Sequence, residues 1–202
     1  SIGISKARDR QQLEEAVETA MEYADRVIVE TCVANLREIN CSVLGDLDEC
    51  QSSVCEEPLN ATDILTFGDK YESGSKGSSK GMESLSRKIP ADLPEDVTEK
   101  IQHLAAEAFR AINGNGVARI DFMMNNETGE VFINEINTIP GSLAFYLWQE
   151  SGIAFDELLD KMIWLAIKRK REKDALTVTF DTNILSNNAL GGSKGGKMGS
   201  KR

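Results

Sequence analysis

Residues 119–141 read RIDFMMNNETGEVFINEINTIPG. Two runs rich in apolar residues, Val117–Met124 and Glu130–Ile136, flank the turn sequence Asn125-Asn126-Glu127-Thr128-Gly129, which is the pattern of a β-hairpin. Phe132, Ile133, Ile136 and Ile139 mark a strand that wants burial, yet Glu135 sits among them with Asn134 and Asn137 beside it. A carboxylate buried on such a strand costs several kcal/mol unless a charge compensates it. Side chains two apart on a strand share a face, so Arg119 points with Asp121 and Glu135 with Asn137. With a turn near Thr128 and no bulge, Asp121 falls opposite Glu135 or Asn137. All four then face one side, and Ile120, Phe122 and Ile136 face the other. Two carboxylates and an amide oxygen form a hard donor set suited to Mg2+ rather than zinc. Arg119 cannot ligate a metal, but it can stabilise a phosphate or a developing oxyanion beside one. The plainer alternative is an Arg–carboxylate network on a solvated hairpin face, and the spacing alone leaves both readings open.

On either side of the hairpin the periodicity switches to that of helices. Pro94 opens an amphipathic helix to about Asn113, with Val97, Ile101, Leu104, Ala105, Ala108 and Phe109 on its apolar face. A second helix is expected from about Phe155 to Lys173, with Leu158, Leu159, Met162, Ile163 and Ala166 inward and a basic end suited to a helix C-terminus. Asp9 is the expected N-cap of a helix to about Tyr23, its apolar face formed by Leu13, Ala16, Val17, Ala20 and Met21. Three strands are expected after it: a short buried one at Arg26–Thr31, a half-buried one at Glu38–Leu44, and a third at Cys50–Cys55 stopped by Pro58. The class is α+β.

The pattern dissolves from Thr66 to Lys88, where GDKYESGSKGSSKG places no apolar residue between Tyr71 and Met82. A linker should separate two self-sufficient halves, and neither half looks complete. The segment is therefore expected to be a functional loop that orders over a ligand. The tail LGGSKGGKMGSKR is rich in Gly and Lys and is expected to be disordered. Domains are assigned accordingly, with one folded unit over 1–183 and the tail over 184–202.

Composition excludes several classes. The 202 residues are 41% hydrophobic and 28% charged, ordinary for a soluble globular protein of one large domain or two small ones. A net charge of −10 would repel a phosphate backbone, so no nucleic-acid partner is expected. No apolar stretch is long enough to span a bilayer and no signal-peptide pattern is present, so no membrane partner is expected either. Cys32, Cys41, Cys50 and Cys55 form no C-x-x-C pair, and His103 is the one histidine available to join them. Reduced thiols in a cytoplasmic protein are the expectation, with His103 in a surface or packing role. Ser1 rather than Met opens the sequence, which suggests a cut from something longer or a processed or engineered start.

The run Arg119–Gly141, preceded by SIGISKA and by IVET…REINCSVLG, resembles the D-alanine–D-alanine ligases. These are ATP-grasp enzymes, which hold ATP between two α+β subdomains, and the likeness extends from Ser1 to about Asn183. It implies that Asp121, Glu135 and Asn137 hold two Mg2+ ions on the ATP phosphates, with Mn2+ as a possible substitute. Arg119 and the backbone N–H of Gly141 would stabilise the tetrahedral intermediate. Glu30, Thr31, Cys32 and Val33 match the segment that contacts adenine, and Glu38 the carboxylate that binds the ribose hydroxyls. Lys70 and Tyr71 match a loop that closes over the γ-phosphate and the second substrate. Ser142 and Leu143 lie where the family grips the carboxylate of the second D-amino acid, and Ser1 ends a Ser-Gly loop over the phosphates. Each has a plainer alternative: a strand end for Glu30 and Cys32, a surface pair of Glu38 with Arg37, ordinary loop residues at Lys70-Tyr71, and a lead into the next helix at Ser142-Leu143.

The implied reaction joins two D-alanines, at the expense of ATP and through an acyl phosphate, for peptidoglycan precursor synthesis in the cytoplasm. The family's N-terminal domain and an earlier phosphate-binding lysine lie before Ser1, so the fragment alone is expected to bind Mg-ATP at best and to have little or no ligase activity. That missing domain is the implied partner, and the whole enzyme is implied to form a homodimer. The alternatives are a ligase with D-lactate or D-serine as acceptor, Tyr71 mildly favouring D-alanine, and a nucleotide-binding module without turnover.

Overall fold

The computed structural model describes residues 3–59 and 87–177. Strands β1 (Leu36–Gly45), β2 (Cys50–Pro58), β3 (Arg87–Lys88), β4 (Gly116–Asn125) and β5 (Val131–Asn137) form one sheet in the order β3-β2-β1-β4-β5. Every pairing is antiparallel. Helix α1 (Arg10–Met21) precedes the sheet, α2 (Glu95–Ala111) links β3 to β4, and α3 (Phe145–Glu150) and α4 (Phe155–Ala175) follow β5.

Alternation along the strands sorts residues to two faces. Ile39, Cys41 and Val43 of β1, Cys55 of β2, and Ala118, Ile120 and Phe122 of β4 meet Ile101, Ala105 and Phe109 of α2 in the main core. The i, i+4, i+8 spacing of those three α2 residues is the helical stripe read from sequence. The opposite face is shared. At one end Leu44 and Val117 pack with Trp148, Ile153, Leu158 and Leu165 of the α3–α4 unit. At the other end the same face is polar.

The β1–β2 connection is tight. Gly45 has φ +147°, and a Cβ there would come within 2.2 Å of the Glu49 carbonyl oxygen, so only glycine fits. Asp46 then accepts from the Asp48 and Glu49 amides through Oδ1, both at 3.0 Å. Its Oδ2 accepts from Lys168 Nζ at 2.6 Å, which ties α4 to the turn.

Several expectations need correction. Arg26–Thr31 is irregular rather than a buried strand; Ile28 is 82% and Val29 62% exposed, and no strand of the sheet pairs with the segment. Helix α1 forms with Asp9 capping the Gln12 amide at 2.8 Å, but it buries none of its residues. In α4 the inward stripe is Leu158, Met162 and Leu165; Ile163 and Ala166 face outward. The expected loop over 66–88 lies largely, and the 184–202 tail entirely, outside the described residues.

Candidate active site

The polar end of the sheet is built from strand register. Asn40 of β1 pairs with Glu56 of β2 on one side and Asp121 of β4 on the other, and Asp121 pairs with Glu135 of β5. Four side chains thus lie in one row across four strands, spanning about 14 Å at the usual strand spacing. The next row holds Ser42, Arg119 and Asn137. The hairpin carries a bulge after Asp121, contrary to the bulge-free expectation: Phe122 pairs with Ile133, so Asn134 is the extra residue. The bulge leaves Asp121 opposite Glu135 and keeps Arg119, Asp121, Glu135 and Asn137 together.

The strand that carries Glu135 is not buried as its apolar content suggests. β5 is the last strand of the described sheet, Phe132 and Ile133 are about half exposed, and Glu135 itself is exposed. The desolvation penalty expected for Glu135 therefore does not arise on this side of the sheet. It is Asp121, half-buried on β4, that needs a compensating charge, and Arg119 supplies it. Arg119 Nε and Nη2 donate to Asp121 Oδ1 and Oδ2 at 2.7 and 2.8 Å, a bidentate pair. Asn137 Nδ2 adds a bond to Asp121 Oδ2 at 3.0 Å and reaches Glu135 Oε1 at 3.4 Å. Burial alone would lower the Arg119 pKa, but the hydrogen bond and charge of Asp121 outweigh it and hold the guanidinium firmly protonated.

This arrangement bears on metal binding. No group of three or more His, Cys, Asp or Glu side chains poised for a metal occurs among the described residues. The hairpin supplies two carboxylates, and the third oxygen must come from the Asn137 amide. Oxygen donors of these types suit Mg2+. For them to serve, the amide must turn its oxygen inward and Arg119 must yield an Asp121 oxygen. The donor chemistry fits the ion; the side chains as they stand are closed on one another.

Beyond the predicted set lies a second polar cluster that sequence reading missed. Glu56, 3% exposed, accepts from Asn40 Nδ2 at 3.0 Å and from the Tyr146 hydroxyl at 2.9 Å, and Arg87 Nη1 approaches it at 3.6 Å. The Arg87 guanidinium stacks 4.4 Å above the Tyr146 ring. Burial first, then the charge of Glu56, pushes the Tyr146 phenol up to about 12 against the pull of Arg119 and Arg87. It stays a neutral donor at physiological pH. The signal for Asn40 was present in sequence, two residues after Glu38 and so on the same strand face. Glu56, Arg87 and Tyr146 are brought together from three distant segments and carried no local signal.

Other predicted residues are placed as follows. Glu38 is the third residue of β1, opposite Met123 on the polar face, and its neighbour Arg37 pairs with Glu57 at 2.7 Å. Glu30, Thr31 and Cys32 are exposed in the irregular segment before β1, with Val33 half-buried. A Cβ on Gly141 would meet nothing within 4 Å, so this glycine leaves open an approach to its backbone. The Ser142 hydroxyl donates to the Gly141 carbonyl at 2.7 Å, and Leu143 packs on the α3–α4 core. Ser1, Lys70 and Tyr71 lie outside the described residues.

Comparison with known proteins places this arrangement in a family. The chain is 43% identical over 174 residues to the D-alanine–D-alanine ligase of Acetivibrio thermocellus, a match that covers 84% of this chain and 43% of the relative. It is 41% identical over 184 residues to the ligase of the same name from Bacillus licheniformis, covering 89% and 48%. Among solved structures, the D-alanine–D-alanine ligase of Coxiella burnetii superposes with a TM-score of 0.69 at 30% identity, over 86% of this chain and 44% of that one. The VanG D-Ala:D-Ser ligase of Enterococcus faecalis does so with a TM-score of 0.62 at 29% identity, over 81% and 45%. The chain thus spans about half the length of the relatives it matches. The family model described as the D-ala D-ala ligase C-terminus matches residues 1–164, and on that match the chain belongs to this ligase family, with its α+β ATP-grasp fold.

Proposed function

We propose that this chain is the nucleotide- and metal-holding part of an ATP-dependent ligase that joins two D-alanines, releasing ADP and phosphate. The observation that carries the reading is the set Arg119, Asp121, Glu135 and Asn137 on one sheet face, drawn together by strand register and followed at once by Gly141. Residues 1–183 are read as the ATP-grasp unit and 184–202 as a tail outside it.

In this reading Asp121, Glu135 and Asn137 hold Mg2+, or Mn2+ in its place. The ions supply charge neutralisation on the ATP phosphates. The chain's own groups do the rest. Glu38 orients the ribose, and Glu30 to Val33 line the adenine. Lys70 and Tyr71 close over the γ-phosphate, and Ser1 covers the phosphates. The γ-phosphoryl group passes to the carboxylate of the first D-alanine, and the amine of the second attacks the resulting acyl phosphate. Arg119 and the Gly141 N–H take the oxyanion that forms, and Ser142 and Leu143 receive the acceptor's carboxylate. Exclusion of water matters because a free acyl phosphate hydrolyses. The remaining half of such an enzyme is the proposed partner, with a homodimer as the assembled state, the cytoplasm as location and peptidoglycan precursor synthesis as role.

Titration with Mg·ATP tests the reading directly. Asp121→Asn should weaken binding by about tenfold or more, in line with the loss of a metal-orienting carboxylate; unchanged affinity would remove Asp121 from the metal site. The likeness to a D-Ala:D-Ser ligase keeps a second acceptor, D-serine or D-lactate, in view. Mg-dependent ATP binding without D-alanine-dependent phosphate release in the complete enzyme would favour a nucleotide-binding module instead.

A further inference from the structure

Arg119 stands between two polar groups on one sheet face. On one side lie Asp121, its neighbour along β4, and Glu135 and Asn137 of β5; toward β2 and β3 lie Tyr146, Glu56 and Arg87. Both flanks act on it, since the charges of Asp121 and Glu56 both support its protonated form. The residues that form the second flank are held with unusual care. Ser142, Leu143 and Ala144 take left-handed φ of 49°, 57° and 52° in succession, a conformation that costs a non-glycine residue about 1 kcal/mol or more each. This turn launches α3, which is then pinned to the sheet three times. Tyr146 binds Glu56 at 2.9 Å, Trp148 Nε1 donates to Ser42 Oγ at 3.1 Å, and Ser151 Oγ accepts from the Val54 amide at 2.9 Å. Two of these anchors serve packing. The first aims a phenol into the polar face.

We propose that Tyr146 is a specificity-determining residue for the acceptor, a small α-amino or α-hydroxy acid, with Glu56 and Arg87 as the residues that position it. The inference rests on the ligase reading above. There, the phosphate that departs from the acyl group lies over the Asp121–Glu135 flank, and the carbonyl under attack lies at Arg119. The acceptor must then approach from the other flank, whose wall is Tyr146. Arg87 covers one ring face, so the ring edge and the phenol oxygen are what the acceptor meets. The phenol proton is committed to Glu56, and its oxygen lone pairs remain to accept from an ammonium or hydroxyl group. The ring sets how large a side chain fits; its oxygen favours an acceptor that carries a donor.

The test is steady-state ADP release by the enzyme in its natural full-length context, with D-alanine, D-serine and D-2-aminobutyrate as acceptors. Tyr146→Phe keeps the ring and its stacking; it should raise the acceptor KM by about three- to tenfold while kcat and the KM for ATP stay within about twofold. Tyr146→Ala should shift kcat/KM toward D-2-aminobutyrate relative to D-alanine by about tenfold or more, the usual worth of a methylene in a shaped pocket. A thermal melt and the ATP KM report whether either variant is simply misfolded, and Tyr146→Phe decides if Tyr146→Ala is. Unchanged acceptor selectivity in a folded, active variant overturns the inference and leaves the ligase reading standing. Wild-type enzyme that binds Mg·ATP yet releases no ADP with any D-amino acid overturns the ligase reading, and the inference with it.

Discussion

Arg119 and Asp121 lie two residues apart on β4 and close on each other through two parallel hydrogen bonds of 2.7 and 2.8 Å. The pair is mostly buried, at 20% and 13% side-chain exposure, so each charge depends on the other for solvation. A divalent ion seeking Asp121 therefore competes with a guanidinium already seated on both oxygens. Arg119→Gln should raise the affinity for Mn2+ alone by several-fold, read by electron paramagnetic resonance, and should cost about 1–3 kcal/mol in urea unfolding. Weaker Mn2+ binding in that variant would mean that the arginine supports the ion site rather than blocking it.

The four cysteines should separate by burial. Cys32 is exposed, Cys50 half-buried, and Cys41 and Cys55 are buried cross-strand partners facing α2. The hydrogen bond with Cys55, reinforced by burial, holds the Cys41 thiol well above its ordinary pKa and so keeps it protonated and unreactive. A thiol reagent at pH 8 should label Cys32 rapidly and Cys41 only on unfolding. Rapid labelling of Cys41 in the folded chain would contradict the core assigned to it.

Asp46 should shape the acid limb of stability. Its hydrogen bond with Lys168 leads several effects that hold the carboxyl below its ordinary value. A folded pKa below the unfolded one gives stability that is complete above the unfolded value, about 3.9, and is lost as pH falls through the folded value. Asp46→Asn should therefore lower the melting temperature at pH 7 and leave it nearly unchanged at pH 2. A uniform loss at both pH values would show that packing at the turn, and not the charge, is what Asp46 contributes.

Trp148 should prove the most costly residue of α3 to truncate. It is 1% exposed in the second core, and its indole N–H is satisfied by Ser42. Trp148→Ala should lose about 3–5 kcal/mol by chemical denaturation, chiefly through the cavity it leaves, since the Ser42 hydroxyl still donates to the Ala118 carbonyl at 2.8 Å. A loss below 1 kcal/mol would mean that the α3–α4 unit is not cooperatively joined to the sheet.

Much of this molecule was legible in its residues, and the rest fails for stated reasons. The hairpin, the α2 stripe of Ile101, Ala105 and Phe109, and the grouping of Arg119 with Asp121 follow from periods of 2 and 3.6. The bulge at Asn134 was not, because one extra residue in a ladder leaves no compositional trace. Arg26–Thr31 has the composition of a strand, but composition does not supply a neighbour to pair with. The apolar content of β5 likewise suggested burial where position in the sheet decided exposure. Ser142 and Leu143 were matched through the resemblance alone, and the left-handed turn they form left no trace in the composition. Tyr146 needed the fold itself, since its partners lie 59 and 90 positions away in the chain.

The outer strand β5 has a practical consequence. Among the described residues it has no neighbour beyond β4, and it presents Phe132 and Ile133 half exposed along that border. A strand of this kind is a template on which further strands can add. The net charge of −10 sets copies of the chain repelling one another, and salt screens that repulsion beyond about 8–10 Å. Solutions of the chain should therefore turn cloudy as ionic strength rises. Ile133→Lys should keep them clear.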